Sequence, residues 1–264
     1  MGRPRFADSA LRAYTPVILP LATFLGILIL WEAASFIFAI PSYVLPAPSR
    51  IASGFDAVTF SRWVDHVWAT LRVALIGYFI SIAIALPLAI GLTKSKTLSA
   101  CLYPMLVVVQ STPVVAIAPI IIVVLGAGDA PRIVITCLIT FFPLVVSTAT
   151  GLMATPPELI ELSRSLRASV SREFTQIRLP YAIPYIFSAL KISITLAVIG
   201  AVVAEFVAAE KGIGYFIQFS TSLFKLPEAW AGLVILVLMS LVLFQTVALV
   251  QRTFFPWSIP KDAK

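Results

Sequence analysis

The chain has 264 residues, of which 60% are apolar and 12% are charged, and its formal net charge at pH 7 is +7. Soluble domains are roughly half apolar and about a quarter charged, so this composition excludes a soluble globular protein and also intrinsic disorder. The basic residues fall between hydrophobic stretches rather than on one solvated face, which argues against a nucleic-acid-binding protein.

Six apolar stretches are long enough to cross a membrane. A transmembrane helix needs about 20 apolar residues, and a continuous apolar run lacks the in-out alternation of a barrel strand. No internal repeat or linker divides the chain, so the sequence predicts one all-α integral membrane domain over 1–264. The six transmembrane helices are predicted at about 17–39, 69–92, 101–126, 133–153, 185–208 and 231–250.

The distribution of Lys and Arg predicts the orientation of these spans. Most basic residues lie in the N-terminal arm, in the loops at 93–100 and 154–184, and in the C-terminal tail. The positive-inside rule places these segments in the cytoplasm, and an even number of spans agrees with two cytoplasmic termini.

The outer connection from Pro46 to Val67 mixes apolar and polar residues and predicts an amphipathic helix at the membrane interface. It contains His66, the single histidine of the chain. Because no second His and no Cys lies nearby, we expect a solvated interfacial His66 and no metal site.

Motifs for nucleotide binding and for covalent catalysis are absent from the sequence. It contains no G-x-x-x-x-G-K-S/T phosphate loop, and no G-x-S-x-G or S-x-x-K motif of a catalytic serine. We therefore expect neither an enzyme nor a cofactor-binding chain, and energy for transport has to come from another subunit.

The long inner loop predicts two short helices. The first is expected over about 156–166, because Thr155 can accept from an amide of the first turn and Glu158 can reach back to the Thr155 amide. The second is expected to begin after Ser169 as N-cap and to end before Pro180. On the first helix, leucines recur at three and four residues with charged neighbours, a pattern that either packs under the spans or fills a groove on a partner. The leucines are Leu159, Leu162 and Leu166.

This loop resembles the signature of the permease subunits of bacterial ABC importers. Glu161–Ser163, Arg167 and Ile177–Pro180 have the spacing of the E-A-A, x3, G, x9, I-x-L-P motif. Leu162 and Ser163 replace the alanines, and Arg167 stands where glycine is usual. Since glycine permits a positive φ there, Arg167 either changes the turn or holds it with mild strain.

Other segments are similar to the taurine, nitrate, alkanesulfonate and pyrimidine-precursor branch of these permeases, so the resemblance covers nearly the whole chain. They lie before the outer helix, at the start of span two, within span three and after span five. The segments are Tyr43–Ser49, Thr70–Arg72, Gln110–Pro113 with Ala118–Pro119, Ala204–Phe206 and Ala209–Gly214.

The resemblance implies the type I importer permease fold in a bacterial inner membrane, with 156–166 as a cytoplasmic coupling helix. It implies a homodimer, two ATPase subunits that bind ATP and Mg²⁺ and dock on the coupling helix, and a periplasmic or lipid-anchored binding protein that delivers the solute. Family precedent gives Glu161 a salt bridge to an arginine of the ATPase. The expected coupling residues are Glu158, Glu161, Leu162, Arg164, Leu166 and Arg167.

Charged residues inside the spans predict structural contacts or a solute path. A charge near the bilayer centre costs about 2.5–3.5 kcal/mol, so each one needs a partner or a watery cavity. Glu32 and Arg72 lie toward the outer ends of their spans and are expected to form an ion pair, unless Arg72 snorkels to the headgroups. Glu205 is expected either to line the solute path or to brace the outer gate.

Span three combines prolines with polar residues. Pro104, Pro113 and Pro119 each remove a helix hydrogen bond. The polar residues beside Pro113 either repair the local backbone or face a solvated cavity on the solute path. These translocation-path candidates are Gln110, Ser111 and Thr112.

The sequence thus predicts the transmembrane subunit of an ABC importer that works by alternating access. Two alternatives are a secondary transporter driven by an ion gradient, with its site at Glu205 or Glu32, and a membrane scaffold without transport. The solute stays open among sulfonates, inorganic anions, pyrimidine or flavin precursors and aromatic acids.

Overall fold

A computed structural model describes the backbone of residues 5–259 and the side chains of residues 18–259. Over this range the chain is all-helical, with no strand. The two termini, whose orientation the charge distribution predicts, lie outside the described residues. The helices are α1 (Arg5–Ile37), α2 (Pro48–Gly54), α3 (Phe60–Lys94), α4 (Lys96–Ser111), α5 (Val114–Leu125), α6 (Asp129–Met153), α7 (Pro157–Ser165), α8 (Val170–Glu173), a π-helical turn (Phe174–Arg178), α9 (Leu179–Ala208), α10 (Ile213–Ser222), α11 (Leu226–Phe254) and a 3-10 turn (Pro256–Ser258).

Five helical segments of the described chain are long and apolar enough to cross a membrane. They are Ile18–Ile37 within α1, and the segments that contain α3, α6, α9 and α11, and they correspond to five of the six predicted spans. Helices α4 and α5 pass the same test only as a pair, and the pair is bent by 94° at the break between Ser111 and Val114. The third predicted span is therefore a broken helix, because Pro113 has no amide with which to continue the backbone ladder.

The helices form two compact units. Among the described residues, one unit joins 5–59 with Phe219–Ala231, and the other joins Phe60–Gln218 with 232–259. Within the first unit, the Trp31 and Trp230 rings meet edge to face with centroids 5.2 Å apart. This aromatic pair adds a directional contact to the apolar burial of the unit.

Helices α3, α6 and α9 form the core of the second unit. They approach closely at small residues: a Cβ added at Gly77 would lie 2.6 Å from Thr136 Cγ2, and one at Gly200 would lie 2.9 Å from Thr136 Cα. The buried hydroxyls of Ser81 and Thr140 form a hydrogen bond between α3 and α6. Small residues and interhelical hydrogen bonds are typical of helix packing in lipid, where the hydrophobic effect adds little.

The outer segment before span two differs from the prediction. The expected amphipathic helix over 46–67 is split into α2 and the first two turns of α3. His66 thus lies on α3, half-buried, and its Nδ1 accepts the Gly212 amide hydrogen at 3.2 Å. The prediction of a solvated His66 was wrong, because the loop after α9 folds back onto α3 and local sequence carries no signal for that contact.

Candidate functional site

The loop at 154–184 exposes the whole predicted docking face. Leu162 and Leu166 are 55% and 75% exposed, although they lie on a short helix with a regular apolar spacing. A cluster of exposed apolar side chains usually marks a surface that a partner covers. All the predicted coupling residues are exposed in the described chain: Glu158, Glu161, Leu162, Arg164, Leu166 and Arg167.

The start of α7 corrects the predicted capping box. The helix begins at Pro157, and Pro156 occupies the N-cap position with extended backbone. The Thr155 hydroxyl instead donates to the Leu152 carbonyl oxygen at 3.4 Å. Because Pro156 has no amide hydrogen, the Glu158 carboxylate has no N-cap amide to accept from. The negative charge of Glu158 instead interacts with the positive end of the helix dipole.

Arg167 ends α7 in the left-handed region, with φ of +54°. Its amide donates to the Arg164 carbonyl oxygen at 2.9 Å, and the Ala168 amide donates to the Ser163 carbonyl oxygen at 2.9 Å. These two bonds make a Schellman motif, in which glycine usually holds the left-handed position. The turn thus keeps the geometry that glycine supports, and Arg167 holds it at a cost of about 1–2 kcal/mol.

A buried carboxylate that the sequence analysis did not single out holds the loop together. Glu173 is 8% exposed, and two nitrogens of Arg178 donate to its Oε1 at 2.8 and 2.9 Å. Arg164 Nε donates to the other oxygen, Oε2, at 3.4 Å. We call Arg164, Glu173 and Arg178 the Glu173 clamp. The clamp links α7 to the turn that leads into α9. The end of α3 also contacts this turn, because the Lys94 ammonium lies 4.7 Å from the centroid of the Phe174 ring.

The second part of the loop begins as predicted and ends differently. The Ser169 hydroxyl accepts the Arg172 amide hydrogen at 3.4 Å, which confirms the N-cap of α8. The predicted stop before Pro180 was wrong, since the π-turn leads directly into α9. The Leu179 amide bonds to the Phe174 carbonyl oxygen five residues back, so Pro180 lies in the first turn of α9, where proline is tolerated.

The two residues expected to pair at the outer ends of the spans each have another partner. The Glu32 carboxylate accepts the Ser49 amide at 3.0 Å and the Ser49 hydroxyl at 2.7 Å, at the N-terminus of α2. Arg72 pairs with Asp129 at the start of α6, and Asp129 also pairs with Arg132. Each residue therefore has a partner within its own unit, and the Glu32–Arg72 pair stays a prediction. Asp129 reaches Arg72 because α6 packs along α3, a contact that the loop sequence does not reveal.

Glu205 lies near the C-terminal end of α9 and is 1% exposed. Its Oε2 accepts the Gly214 amide at 2.7 Å. The loop backbone passes so close that a Cβ at Gly212, where φ is +129°, would lie 2.2 Å from Glu205 Cδ. Nearby, Thr70 Oγ1 accepts the Ile213 amide at 2.8 Å. Of the two expected roles, these contacts favour the brace, because Glu205 holds the loop between α9 and α10.

The break between α4 and α5 borders a cavity of about 510 Å³, lined also by residues of α6 and α9. Gln110 and Thr112 line it. The Ser111 hydroxyl donates to the Val107 carbonyl oxygen at 2.8 Å, and the Thr112 hydroxyl donates to that of Val108 at 3.1 Å. The two expected roles are therefore divided among these residues. The hydroxyls of Ser111 and Thr112 donate to backbone carbonyl oxygens before the break, and the side chains of Gln110 and Thr112 line the cavity.

The long apolar helices, one of them broken beside a cavity, define an integral membrane protein, and the exposed helix on the loop at 154–184 fits a membrane transport permease. Residues 77–258 match the family described as the binding-protein-dependent transport system inner membrane component, and the chain belongs to that family. It is a transmembrane ABC permease and a multi-pass protein of the inner membrane.

Curated relatives are similar over most of the chain. The riboflavin transport system permease RibX of Chloroflexus aurantiacus is 34% identical, covering 89% of this chain and 88% of that protein. The formylaminopyrimidine transport permease ThiX of Halalkalibacterium halodurans is 31% identical, covering 90% and 95%. The taurine transport system permease TauC of Escherichia coli is 24% identical, covering 91% and 90%. These relatives confirm the predicted branch of the family.

The fold is similar to that of a chain in the inward-facing MetNI methionine ABC transporter. The TM-score is 0.64 at 22% identity, and the match covers 72% of this chain and 94% of that chain. This likeness confirms the predicted type I importer permease fold.

Proposed function

We propose that this chain is the translocating subunit of an ATP-driven importer. A binding protein outside the membrane delivers a small solute, and the permease moves it into the cytoplasm by alternating access. The observation that carries the proposal is the exposed face of α7, which is joined to α9 through the Glu173 clamp. Family membership and the similarity to named ABC permeases support it.

The proposal requires a route by which nucleotide changes the shape of the permease. A partner can shift a conformational equilibrium only by binding one state better than the other. The ATPase subunits would do so through α7, because movement of α7 reaches α9 through the Schellman turn and the Glu173 clamp, and the contact of Lys94 with Phe174 adds α3.

Docking on the ATPase would combine apolar and charged contacts. Leu162 and Leu166 present exposed apolar groups that can fill a groove on the partner, as the apolar face of a docked amphipathic helix does. Glu158, Glu161 and Arg167 are charged positions around them, with Glu161 facing an arginine of the ATPase. Arg164 is 68% exposed at its side chain, so it can contact the partner while it also belongs to the clamp.

The complete transporter would contain a second copy of this chain, two ATPase subunits and a periplasmic or lipid-anchored binding protein. ATP and Mg²⁺ belong to the ATPase subunits, since this chain has no phosphate-binding loop. Both termini would lie in the cytoplasm, on the same side as α7.

The solute path would include the cavity beside the α4–α5 break. Irregular backbone at membrane depth is tolerated where it borders protein or a cavity, and the break satisfies this condition. Gln110 and Thr112 would contact the solute, Ser111 would maintain the break, and Glu205 would brace the outer gate. The cargo would be a small molecule of the kinds for which the relatives are named, among them riboflavin, formylaminopyrimidine and taurine.

A charge reversal on α7 tests the docking. In Glu161→Lys, copurification of the ATPase should fall by about tenfold or more, because an interfacial ion pair becomes a repulsion. Asp56→Lys is the matched control, an exposed carboxylate on the outer segment. Equal recovery of the ATPase with Glu161→Lys and with the unchanged chain would refute the docking. Uptake by vesicles that hold this chain without any ATPase would favour the secondary transporter instead.

A further inference from the structure

The lining of the cavity beside the α4–α5 break is mostly apolar and carries no charge among the described residues. Sixteen residues of the described chain line it, and none of them is ionisable. Gln110 and Thr112 carry its polar side chains, and the remaining lining is aliphatic, proline or aromatic, with Phe141 and Phe142 from α6. Its volume of about 510 Å³ lies within the usual range of small-molecule sites, roughly 300–1,000 Å³.

The polar groups of the cavity are concentrated at the helix break. The Gln110 carboxamide has no hydrogen-bond partner among the residues that the structure describes, so its donor and acceptor are free for a solute. The Thr112 hydroxyl gives its hydrogen to the Val108 carbonyl oxygen, which leaves its lone pairs as acceptors. The site therefore offers a neutral set of donors and acceptors facing an apolar and aromatic wall.

We propose that this cavity takes an uncharged, ring-containing organic solute with an amide-like polar edge and that it rejects anions such as sulfonates. The proposal rests on the proposed function, in which the cavity belongs to the solute path, and it names the class of cargo. A buried anion without a cation keeps most of its desolvation cost, because the amides at the N-terminus of α5 beside Pro113 offer only a partial positive charge. A neutral ring can satisfy its polar edge at Gln110 and Thr112.

A second cavity of about 540 Å³ at the outer end of the same unit does not supply the missing cation. Arg72, Arg132 and Lys211 line it together with Glu210. Arg72 and Arg132 are both paired with Asp129. An anionic solute there would have to compete with Asp129 for both arginines, which leaves Lys211, next to Glu210 in the chain, as the one lining cation without an ion pair among the described residues.

Matched neutral and anionic probes test the inference on the permease–ATPase complex in lipid nanodiscs. One pair is riboflavin and riboflavin 5′-phosphate, which share a ring system, and the other is uracil and orotate. Saturation-transfer NMR detects weak binding of such solutes. The neutral member of at least one pair should bind, and its anionic counterpart should bind about tenfold or more weakly. Equal or tighter binding of the anion, or no binding of either neutral member, would overturn the proposal.

Two variants locate the binding. Gln110→Leu should weaken binding of the neutral probe by about tenfold, because its polar edge loses a partner. Gln110→Arg should improve binding of the matching anion by a similar factor. Val108→Leu is the control, since this side chain lies on the same helix, is 67% exposed and is outside the cavity lining of the described chain. Unchanged binding in both Gln110 variants would refute the assignment of the solute to this cavity. The probe would then bind elsewhere, or lipid would occupy the cavity.

The same preparation separates this inference from the proposed function. Copurification of the ATPase and its stimulation by this chain report on the importer assignment. If the ATPase remains bound and stimulated while the neutral probes do not bind, the cargo class alone is wrong. If no ATPase is bound, the proposed function itself fails.

Discussion

Replacing Glu173 with glutamine removes the charge of the clamp and keeps its shape. Two nitrogens of Arg178 bind one carboxylate oxygen at 2.8 and 2.9 Å, and hydrogen bonds to charged groups contribute about 1.5–3 kcal/mol. The exposed Arg164 bond at 3.4 Å adds little, since solvent screens it. The carboxamide oxygen of the introduced glutamine can still accept one bond, so we expect the loop to lose about 2 kcal/mol, which would raise the fraction of open loop roughly thirtyfold.

Hydrogen exchange on the permease in nanodiscs measures this opening. Amides of the Schellman turn, Arg167 and Ala168, should lose protection in Glu173→Gln, and transport per ATP hydrolysed should fall because α7 no longer moves α9 as a unit. Asp56→Asn is the matched control, an exposed carboxylate outside the loop with no ion pair in the described chain. Unchanged protection of the turn and unchanged coupling in Glu173→Gln would refute the clamp.

Two other substitutions test the loop turn and the helix core. Arg167→Gly should stabilise the turn by about 1 kcal/mol, because glycine accepts the φ of +54° without the steric cost, and the Ala168 amide should exchange more slowly. Faster or equal exchange would contradict strain at Arg167. Gly77→Val should lower the melting temperature in detergent by several degrees, since its Cβ would lie 2.6 Å from Thr136 Cγ2. Gly26→Val is the control, because a Cβ at Gly26 meets nothing within 4 Å, and equal effects of the two would argue against close packing in the core.

The sequence was informative where a property repeats along the chain. Apolar length predicted the spans, and the spacing of leucines and charges predicted the exposed loop helix, because both depend on neighbours within a few residues. For Arg167 at the glycine position of the motif, the sequence left open a changed turn or a strained positive φ, and the structure has the positive φ. The polar side chains of Gln110 and Thr112 beside Pro113 predicted either hydrogen bonds to the interrupted backbone or contact with a cavity. The structure has both features.

Contacts between distant segments could not be predicted in this way. Glu173 and Arg178 are five residues apart, and side chains at that spacing diverge on an α-helix. They meet here at the π-helical turn, which no local signal announces. Asp129 was missed as the partner of Arg72 because the packing of α6 against α3 is needed to bring them together.

Adjacent prolines explain the error at the start of α7. The motif favours Thr155 as N-cap, yet the second proline fits the first helical position and moves the cap to Pro156. The position of the predicted helix and its exposed face were correct. The prediction that Thr155 and Glu158 cap its first turn was wrong.

Uptake by reconstituted vesicles tests the central claim most directly. Vesicles would hold this chain with its ATPase, and the binding protein with radiolabelled cargo would be added on the outer face. We predict accumulation that needs ATP at the α7 side, is abolished by Glu161→Lys, and is unaffected by dissipating ion gradients. Accumulation by vesicles that lack the ATPase, or ATP-driven uptake that is unchanged in Glu161→Lys, would contradict the account.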